Sequence, residues 1–360
     1  MVRGFRNLAD ADLDVPRAGW VLVGPNGHGK TSVLEAALYC QVFRSFRAAA
    51  DRELVTFGAD GFHLSVALEA EGDAPPGRPD AAAERDCVAA GYDARTRQKR
   101  ITVGGAPAGR TADAIGVVRG VVMSPGDVAL VAGGPRERRR FLDVLLALTV
   151  PGYLDALERY RRALRHRARA TRVELPTWDR MLAERGVALV DARRAWTAAW
   201  AGRYAELCAS LGERAGPELA YRPNVEGGAD AIFEALERRR ARDAMTGHAG
   251  AGPHRDELRL LLGGRELRIY GSAGQQRTAA IALRLVEAET LHGATGRAVL
   301  LGLDDAFAEL DQERGTRLAG LALAAARAGY QIVAAVPKAG DVPRELADLP
   351  MRTIREGRLT

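Results

Sequence analysis

The sequence predicts an α/β protein, a mixed sheet with flanking helices, interrupted by an inserted helical hairpin. Near both ends of the chain, short apolar runs typical of buried strands alternate with helical patterns, as in mostly parallel sheets. The middle repeats apolar residues at spacings of three and four, which is typical of amphipathic helices. At 360 residues the chain can form two compact bodies, or one body with a large insertion. We expect a head made of residues 1–135 and 247–360, with an inserted arm at residues 136–246.

The composition is globular, with 47% hydrophobic and 27% charged residues. No apolar stretch approaches the ~20 residues of a membrane span, and the first residues do not resemble a signal peptide. Cys40, Cys87 and Cys208 are isolated and lack metal-ligand spacing, which favours a reducing compartment and argues against a structural zinc site. We expect a soluble, cytoplasmic protein.

Positive charge is unevenly distributed along the chain. The net charge is +6, and arginine carries nearly all the basic residues because there are only three lysines. This bias can reflect genomic base composition or a polyanionic partner, since guanidinium groups fit phosphate geometry. Residues 136–172 contain eleven arginines and four acids, a net of +7. A solvated helix face can account for part of this excess, and a polyanionic partner is the alternative.

The first 135 residues read mostly as strands. Apolar runs or alternation predict strands at 20–23, 62–68 and 117–123, and Gly104-Gly105 predicts a hairpin after 101–103. A helix is expected at 30–40. Three prolines among small and acidic residues predict a surface loop at 72–86.

Helices dominate the predicted arm. The break at Leu175-Pro-Thr177 separates two long amphipathic patterns, with Thr177 as N-cap of the second, and the pair is expected to form an antiparallel hairpin. Its aromatic residues are interpreted as a seam between helices. After residue 247, strands are expected at 258–262, 298–303 and Gln331–Val336, with helices at 275–291 and 314–328.

The stretch Gly24-Pro25-Asn26-Gly27-His28-Gly29-Lys30-Thr31 fits the pattern G-x-x-x-x-G-K-[ST] between a strand and a helix. In such a loop, backbone N–H groups and the positive end of the helix dipole surround phosphate oxygens. Lys30 is expected to reach the β- and γ-phosphates of ATP and Thr31 to ligate Mg²⁺. An ordinary glycine turn would need this lysine by coincidence.

Asp304 and Asp305 follow an apolar strand, where ligands bind in open α/β sheets. We expect Asp304 to hold Mg²⁺ through water and Asp305 to polarise the attacking water. Alone the pattern is weak, but together with the phosphate loop it indicates a nucleotide site. Glu309-Leu-Asp311 could orient a facing subunit or simply begin a helix.

Ser272-Ala-Gly274-Gln275-Gln276 opens the helix expected at 275–291. Its hydroxyl and free N–H groups form an anion site, although a simple helix cap is the alternative. The stretch is distant in sequence from the phosphate loop.

These motifs, in this order, resemble the ABC-type ATPase heads of the SMC and DNA-repair group. Further stretches resemble the RecF family of bacterial recombinational-repair ATPases, from Gly4 to about Val336. They are Gly4-Phe-Arg-Asn7, Ser124-Pro-Gly-Asp127, Gly134-Pro-Arg-Glu-Arg-Arg-Arg-Phe-Leu-Asp143, Gly252-Pro-His-Arg-Asp256 and Gly274-Gln-Gln-Arg277.

The resemblance implies an ATP-dependent head-to-tail homodimer with weak ATPase activity. Lys30, Thr31 and Asp304 of one subunit would face Ser272 and Gly274 of the other, so that ATP closes the dimer and hydrolysis releases it. By the same resemblance, Arg6 and Asn7 contact the nucleotide. The implied partners are gapped or duplex DNA near single-strand junctions, and the proteins RecO and RecR, with which recombinase is loaded onto SSB-coated gaps. On the arm, Arg161, Arg165 and Arg169 are the expected DNA-binding stripe.

Four departures from the family pattern stand out. Little sequence precedes Gly4, so we expect a shortened or differently initiated N-terminus. Ser124–Asp127 replaces the glutamine loop of wider ABC heads, no histidine follows Gln331–Val336, and Asp305 replaces the usual glutamate. The last three suggest slow turnover, suited to a timing switch.

Two other functions remain open. A transporter's ATP-binding subunit normally has a smaller helical insert without the arginine-rich block. An SMC-like DNA clamp carries coiled coils of hundreds of residues, whereas the predicted arm is far shorter.

Overall fold

The computed structural model describes residues 1–47, 49–68, 87–294 and 296–360, so the predicted loop at 72–86 lies outside the described residues. Within them the chain divides into two compact units, residues 1–125 with 291–360, and residues 126–290. The second unit is larger than the predicted arm, because it also includes the strands and most of the helix that follow residue 246. No described helix is long and apolar enough to span a membrane.

The described residues form both helices and strands. The helices are α1 Lys30–Val42, α2 Thr111–Ala114, α3 Val128–Ala132, α4 Pro135–Thr149, α5 Tyr153–Arg167, α6 Leu175–Ser210, α7 Ala229–Thr246, α8 Leu267–Tyr270, α9 Ala273–Gly293 and α10 Gln312–Arg327. The strands are β1 Val2–Arg3, β2 Gly19–Val23, β3 Gly61–Ala67, β4 Cys87–Asp93, β5 Gln98–Val103, β6 Ala106–Pro107, β7 Gly120–Met123, β8 Pro217–Arg222, β9 Glu257–Leu262, β10 Arg265–Glu266, β11 Leu300–Asp304, β12 Gln331–Val336, β13 Met351–Arg355 and β14 Arg358–Leu359.

The first unit contains two sheets. One has the order β14-β13-β2-β12-β11-β7, in which all pairs are parallel except the β13–β14 hairpin. The other is antiparallel, with the order β1-β3-β4-β5-β6. Parallel strands covered on both faces are nearly continuous apolar runs, which is why β11 and β12 could be recognised in the sequence.

Helix α1 packs in the core of this unit together with residues from both sheets. Its Tyr39 makes an edge-to-face contact with Phe62 of β3 at 5.3 Å between ring centroids, and Phe5 contacts Phe62 at 5.4 Å. All three rings are buried, and burial of each contributes about 1.5–3 kcal/mol. This packing holds the C-terminal half of α1 in the core, while the phosphate-loop motif ends at the other end of the same helix.

The second unit is built around an antiparallel pair of helices, as predicted. Arg167 at the end of α5 pairs with Asp179 near the start of α6, while Tyr153 at the start of α5 lies beside Arg193 further along α6. The predicted N-cap at Thr177 is wrong, because α6 already begins at Leu175 with Glu174 as its N-cap. Strand β8 was also not predicted, and it joins β9 and β10 in an antiparallel sheet.

Two aromatic residues of α6, Trp196 and Tyr204, pack as a hydrophobic seam. Trp196 and Tyr204 are buried. Trp196 contacts Phe141 of α4 at 6.0 Å and donates its indole N–H to Thr290. The stripe is therefore part of the core.

Candidate functional site

The phosphate-loop motif connects the end of β2 to the first residue of α1. Because α1 begins at Lys30, the N–H groups of its first turn have no intrahelical acceptors. Gly27 has a φ of +82° with no atom within 4 Å of the position that a Cβ would take. The loop is therefore a concave run of backbone donors that can receive phosphate oxygens.

Lys30 is buried, and its ammonium closes onto the loop itself. The Nζ atom donates to the carbonyls of Gly24 at 2.7 Å and Pro25 at 3.3 Å, and to Oδ1 of Asn26 at 3.2 Å. These neutral acceptors hold the ammonium without neutralising it. A phosphate group in the loop would supply the missing negative charge.

Thr31 and Asp304 meet although they are far apart in sequence. The Thr31 hydroxyl donates to both carboxylate oxygens of Asp304, at 2.9 and 2.8 Å. They meet because β11 ends at Asp304 on the same edge of the sheet at which β2 leads into the loop. Burial raises the pKa of Asp304, and the hydrogen bond from Thr31 partly opposes that shift.

Asp305 lies directly after this strand in a strained conformation. Its φ is +49°, in the left-handed region, and its N–H donates to the carbonyl of Ala335 on β12. The Oδ1 atom is buried and has no hydrogen-bond partner among the residues that the structure describes. A buried acceptor without a donor is costly, so this oxygen is available for a ligand or a water molecule.

The loop is braced from both ends of the chain. Asn7 donates its amide to the carbonyl of Gly27 at 2.8 Å and accepts from Ser32 at 2.9 Å. His28 accepts from the backbone N–H of Glu356 through Nδ1, and its carbonyl accepts from the N–H of Gly357. No sequence pattern indicates the second contact, because Glu356 and Gly357 lie in a turn before the two-residue strand β14.

Gly357 is required in this brace. Its φ is +76°, and a Cβ there would lie 1.9 Å from the carbonyl oxygen of Asn7. A larger residue would therefore push the C-terminal hairpin away from the loop.

Arg6 is held by Glu35, which belongs to none of the sequence motifs. Glu35 of α1 is fully buried and accepts two hydrogen bonds from the Arg6 guanidinium, each at 2.9 Å, and a third from Ser45. A charged residue inside an apolar helix is the only sequence signal that could have indicated this ion pair. Asn7 therefore contacts the loop, whereas the Arg6 guanidinium faces Glu35.

Ser272 belongs to the second unit, where it caps α9. Its hydroxyl accepts from the N–H of Gln275 at 3.3 Å, and the Gln275 side chain accepts from the N–H of Ser272 at 3.0 Å. This reciprocal pair is a capping box. Ser272 is exposed and Gly274 is partly exposed, so the start of the helix remains accessible.

Asp311 caps α10 by accepting from the N–H of Arg314 at 2.8 Å. This contact supports the helix-start interpretation of the Glu309-Leu-Asp311 triplet.

The predicted arginine stripe differs from expectation. Arg161, Arg165 and Arg169 are exposed, but α5 ends at Arg167, so Arg169 lies in the following turn and the three do not form one helical stripe. Arg161 forms an ion pair with Asp143 at 2.9 Å. Two of the eleven arginines, Arg138 and Arg167, are buried and paired with acids, so the net of +7 overstates the exposed charge.

The Gly252-Pro-His-Arg-Asp256 stretch joins several elements of the second unit. Asp256 accepts from Arg193 at 3.0 Å, from the hydroxyl of Tyr221 and from the N–H of Asn224. His254 Nε2 donates to the carbonyl of Ala249, which can only accept, so Nδ1 accepts from the hydroxyl of Tyr160 at 2.6 Å. Burial lowers the pKa of His254 to about 4, so the imidazole ring is neutral at pH 7.

The two sheets around α1, the glycine-rich loop and the carboxylates at the strand end define an ABC-type ATPase head with a helical insert. The sequence is 35% identical over 350 residues to the DNA replication and repair protein RecF of Myxococcus xanthus (strain DK1622), covering 92% of this chain and 88% of that protein. It is 39% identical over 339 residues to RecF of Anaeromyxobacter sp. (strain K), covering 89% and 87%. The chain belongs to the RecF family.

Solved structures agree with this assignment. The recombination mediator protein RecF-ATP in the RecFOR pathway matches with a TM-score of 0.85 and 25% identity, over 100% of this chain and 95% of that one. An Smc head domain derived from Pyrococcus furiosus matches with a TM-score of 0.57 and 14% identity over 100% and 94%, a likeness of fold alone. No protein-family model matches the chain.

Proposed function

We propose that this protein is an ATP-gated, DNA-binding recombinational-repair protein with weak ATPase activity. The observation that carries the proposal is the contact of Thr31 with both oxygens of Asp304 beside the phosphate loop. Membership of the RecF family supports it, as does the likeness to a structure described as RecF-ATP.

The residues present fit Mg²⁺. A hydroxyl and a carboxylate are hard oxygen donors of the kind that Mg²⁺ prefers, and the buried carboxylate of Asp304 has no cationic side chain within hydrogen-bonding distance among the described residues. When bound, Mg²⁺ would neutralise charge on the β- and γ-phosphates. In our proposal Thr31 and Asp304 hold the ion, while Lys30 and the loop N–H groups orient the phosphates.

Asp305 is proposed as the residue that accepts a proton from the attacking water. Its unpartnered Oδ1 supplies a buried acceptor immediately after the proposed metal ligand. Its backbone lies in the left-handed region, and strained backbone conformations of this kind cluster at active sites.

ATP is proposed to close a head-to-tail homodimer. The exposed start of α9 offers backbone N–H groups and the positive end of a helix dipole, which attract the γ-phosphate of a nucleotide held by a second subunit. In this proposal the phosphate loop of one subunit and the start of α9 of the other surround the γ-phosphate together. ATP would therefore stabilise the dimer, and loss of the γ-phosphate on hydrolysis would release it.

DNA is the proposed macromolecular partner, near junctions of duplex and single strands. Exposed arginines on α5 and in the following turn favour phosphate contact. Cooperation with RecO and RecR in loading recombinase onto SSB-coated gaps is proposed from the family, one member of which is described within the RecFOR pathway.

The test compares binding to gapped, duplex and single-stranded DNA side by side, with and without ATP. We expect ATP to strengthen binding to the gapped substrate most, and Lys30→Ala to abolish that gain. Equal affinities with and without ATP on all three substrates would contradict ATP gating.

A further inference from the structure

Two segments of the second unit concentrate arginine. Residues 165–174 and 237–246 together contain eight arginines and three acids. We refer to these two segments as the basic surface. They are neighbours, because Arg167 in the first pairs with Asp243 in the second at 2.9 Å.

Two arginines of the basic surface, which we call the inner arginines, form ion pairs with buried aspartates. Arg167 donates to Asp179 at 2.6 Å, and Arg240 donates to the other oxygen of the same carboxylate at 2.8 Å. The buried aspartates are thus neutralised by these two inner arginines. Of the six arginines left outside, Arg238 pairs with Glu234 at 3.3 Å. The other five form no ion pair with described residues, and they are Arg165, Arg169, Arg172, Arg239 and Arg242.

An aromatic stack lies beside these free charges. His166 and Trp178 are parallel within 6°, with ring centroids 4.8 Å apart. His166 is exposed and Trp178 is half-buried. Val173 and Met245 on the same two segments are 88% and 89% exposed.

We propose that the basic surface binds single-stranded DNA, with an unpaired base stacking on the His166–Trp178 pair and the arginines contacting its phosphates. The inference rests on the proposed DNA binding and names the part of the DNA concerned. Bases in a duplex are already stacked on each other, whereas unpaired bases present a free π-face to an aromatic ring. Free arginines together with an exposed ring are the two components that single-strand recognition requires.

The test uses the full-length chain with saturating ATP and measures fluorescence anisotropy of a labelled oligothymidylate and of a blunt duplex. His166→Ala should weaken oligothymidylate binding about tenfold, the loss expected for one stacking contact. Duplex affinity should stay unchanged. His63→Ala, which removes an imidazole from the first unit, is the matched control and should bind both as the wild type does.

The phosphate contacts are tested by salt dependence. Arg169→Gln combined with Arg242→Gln should flatten the plot of log K against log[salt] for oligothymidylate by about 0.7 per arginine. Arg95→Gln combined with Arg100→Gln, two exposed arginines of the β4–β5 hairpin, makes the same charge change elsewhere and should leave the slope as in the wild type.

Each outcome is decisive. If the wild type binds DNA but His166→Ala loses no oligothymidylate affinity, or loses equal affinity for duplex, the single-strand assignment is overturned while the proposed function stands. If the wild type binds neither the oligothymidylate nor the duplex, the proposed function itself fails. Circular dichroism melting of each variant shows that a loss of affinity does not arise from unfolding.

Discussion

At the scale of single residues, Lys30 contributes the charge of the phosphate loop. Its ammonium is buried against two carbonyls and one amide oxygen. We expect Lys30→Ala to abolish nucleotide-dependent dimerisation, because no other ammonium can neutralise the β- and γ-phosphates there. Light scattering at saturating ATP provides the measurement.

Lys30→Arg is the informative control. A planar guanidinium cannot occupy the site of a compact ammonium, and the loop carbonyls around Nζ leave little room. We expect no rescue. A dimer of wild-type strength in either variant would contradict the role assigned to Lys30.

Asp305→Asn should preserve ATP binding and slow hydrolysis by about 10²–10⁴-fold, the usual contribution of a general base. The amide keeps the shape but cannot accept the proton of the water. Asparagine also tolerates the left-handed backbone of this position, so the fold should persist. Phosphate release and dimer lifetime are measured after an ATP chase, and turnover at the wild-type rate would show that the base is another group.

The residues of the loop could be predicted because their chemistry depends on short spacing. Lys30 and Thr31 follow directly from the motif, and Asp304 and Asp305 from the end of an apolar strand. The charge of Glu35 inside an apolar helix is a signal, but it does not identify Arg6 as the partner, because Arg6 precedes it by 29 positions and only the fold brings them together. Likewise, the burial of Arg138 and Arg167 is invisible to a count of charges.

At the scale of elements, His254 connects α5 to the turn before β9. It receives a hydrogen bond from Tyr160 and donates to Ala249. Because its folded-state pKa of about 4 lies below the ordinary 6.5, the unfolded chain binds the additional proton between these values. The stability that neutral His254 contributes is therefore complete above pH 6.5 and is lost as the pH falls towards 4.

We predict that His254→Gln loses less stability than the wild type between pH 6.5 and 4, by a difference of about 3 kcal/mol. Chemical unfolding at several pH values measures it, and His248→Gln, which changes an exposed histidine, is the control. Parallel pH profiles for the wild type and His254→Gln would show that this ring does not titrate on unfolding.

Helices and strands with a clear pattern of apolar residues could be predicted from the sequence, whereas short polar strands could not. The apolar runs of β11 and β12 and the helical spacing of α5 and α6 identified them from the sequence. Strand β13 has the sequence Met-Arg-Thr-Ile-Arg with only Ile354 buried, so its pairing with β2 leaves almost no hydrophobic signal. Strand β8 was missed because it interrupts a region whose flanking patterns are helical.

At the scale of the whole molecule, the proposed dimer depends on the start of α9. Ser272→Arg should prevent ATP-dependent dimerisation, because a large cation would occupy the space meant for the partner's nucleotide. Nucleotide binding by the single subunit should remain, since Ser272 belongs to the other compact unit. Analytical ultracentrifugation and nucleotide titration separate the two effects.

Ser210→Arg is the matched control, since this exposed serine lies at the end of α6 in the same unit. It should dimerise normally. Dimerisation of Ser272→Arg as strong as that of the wild type would place the assembly surface elsewhere.

The bracing of the phosphate loop has a consequence for the order in which the protein is made. His28 is held by Glu356 and Gly357, which the ribosome adds more than 320 residues later. A nascent chain that already contains Lys30, Thr31 and Asp304 therefore still lacks the C-terminal strand pair that fixes the loop. Nucleotide affinity should thus develop only after these residues have been added, so that shorter nascent chains do not compete for ATP or for partners.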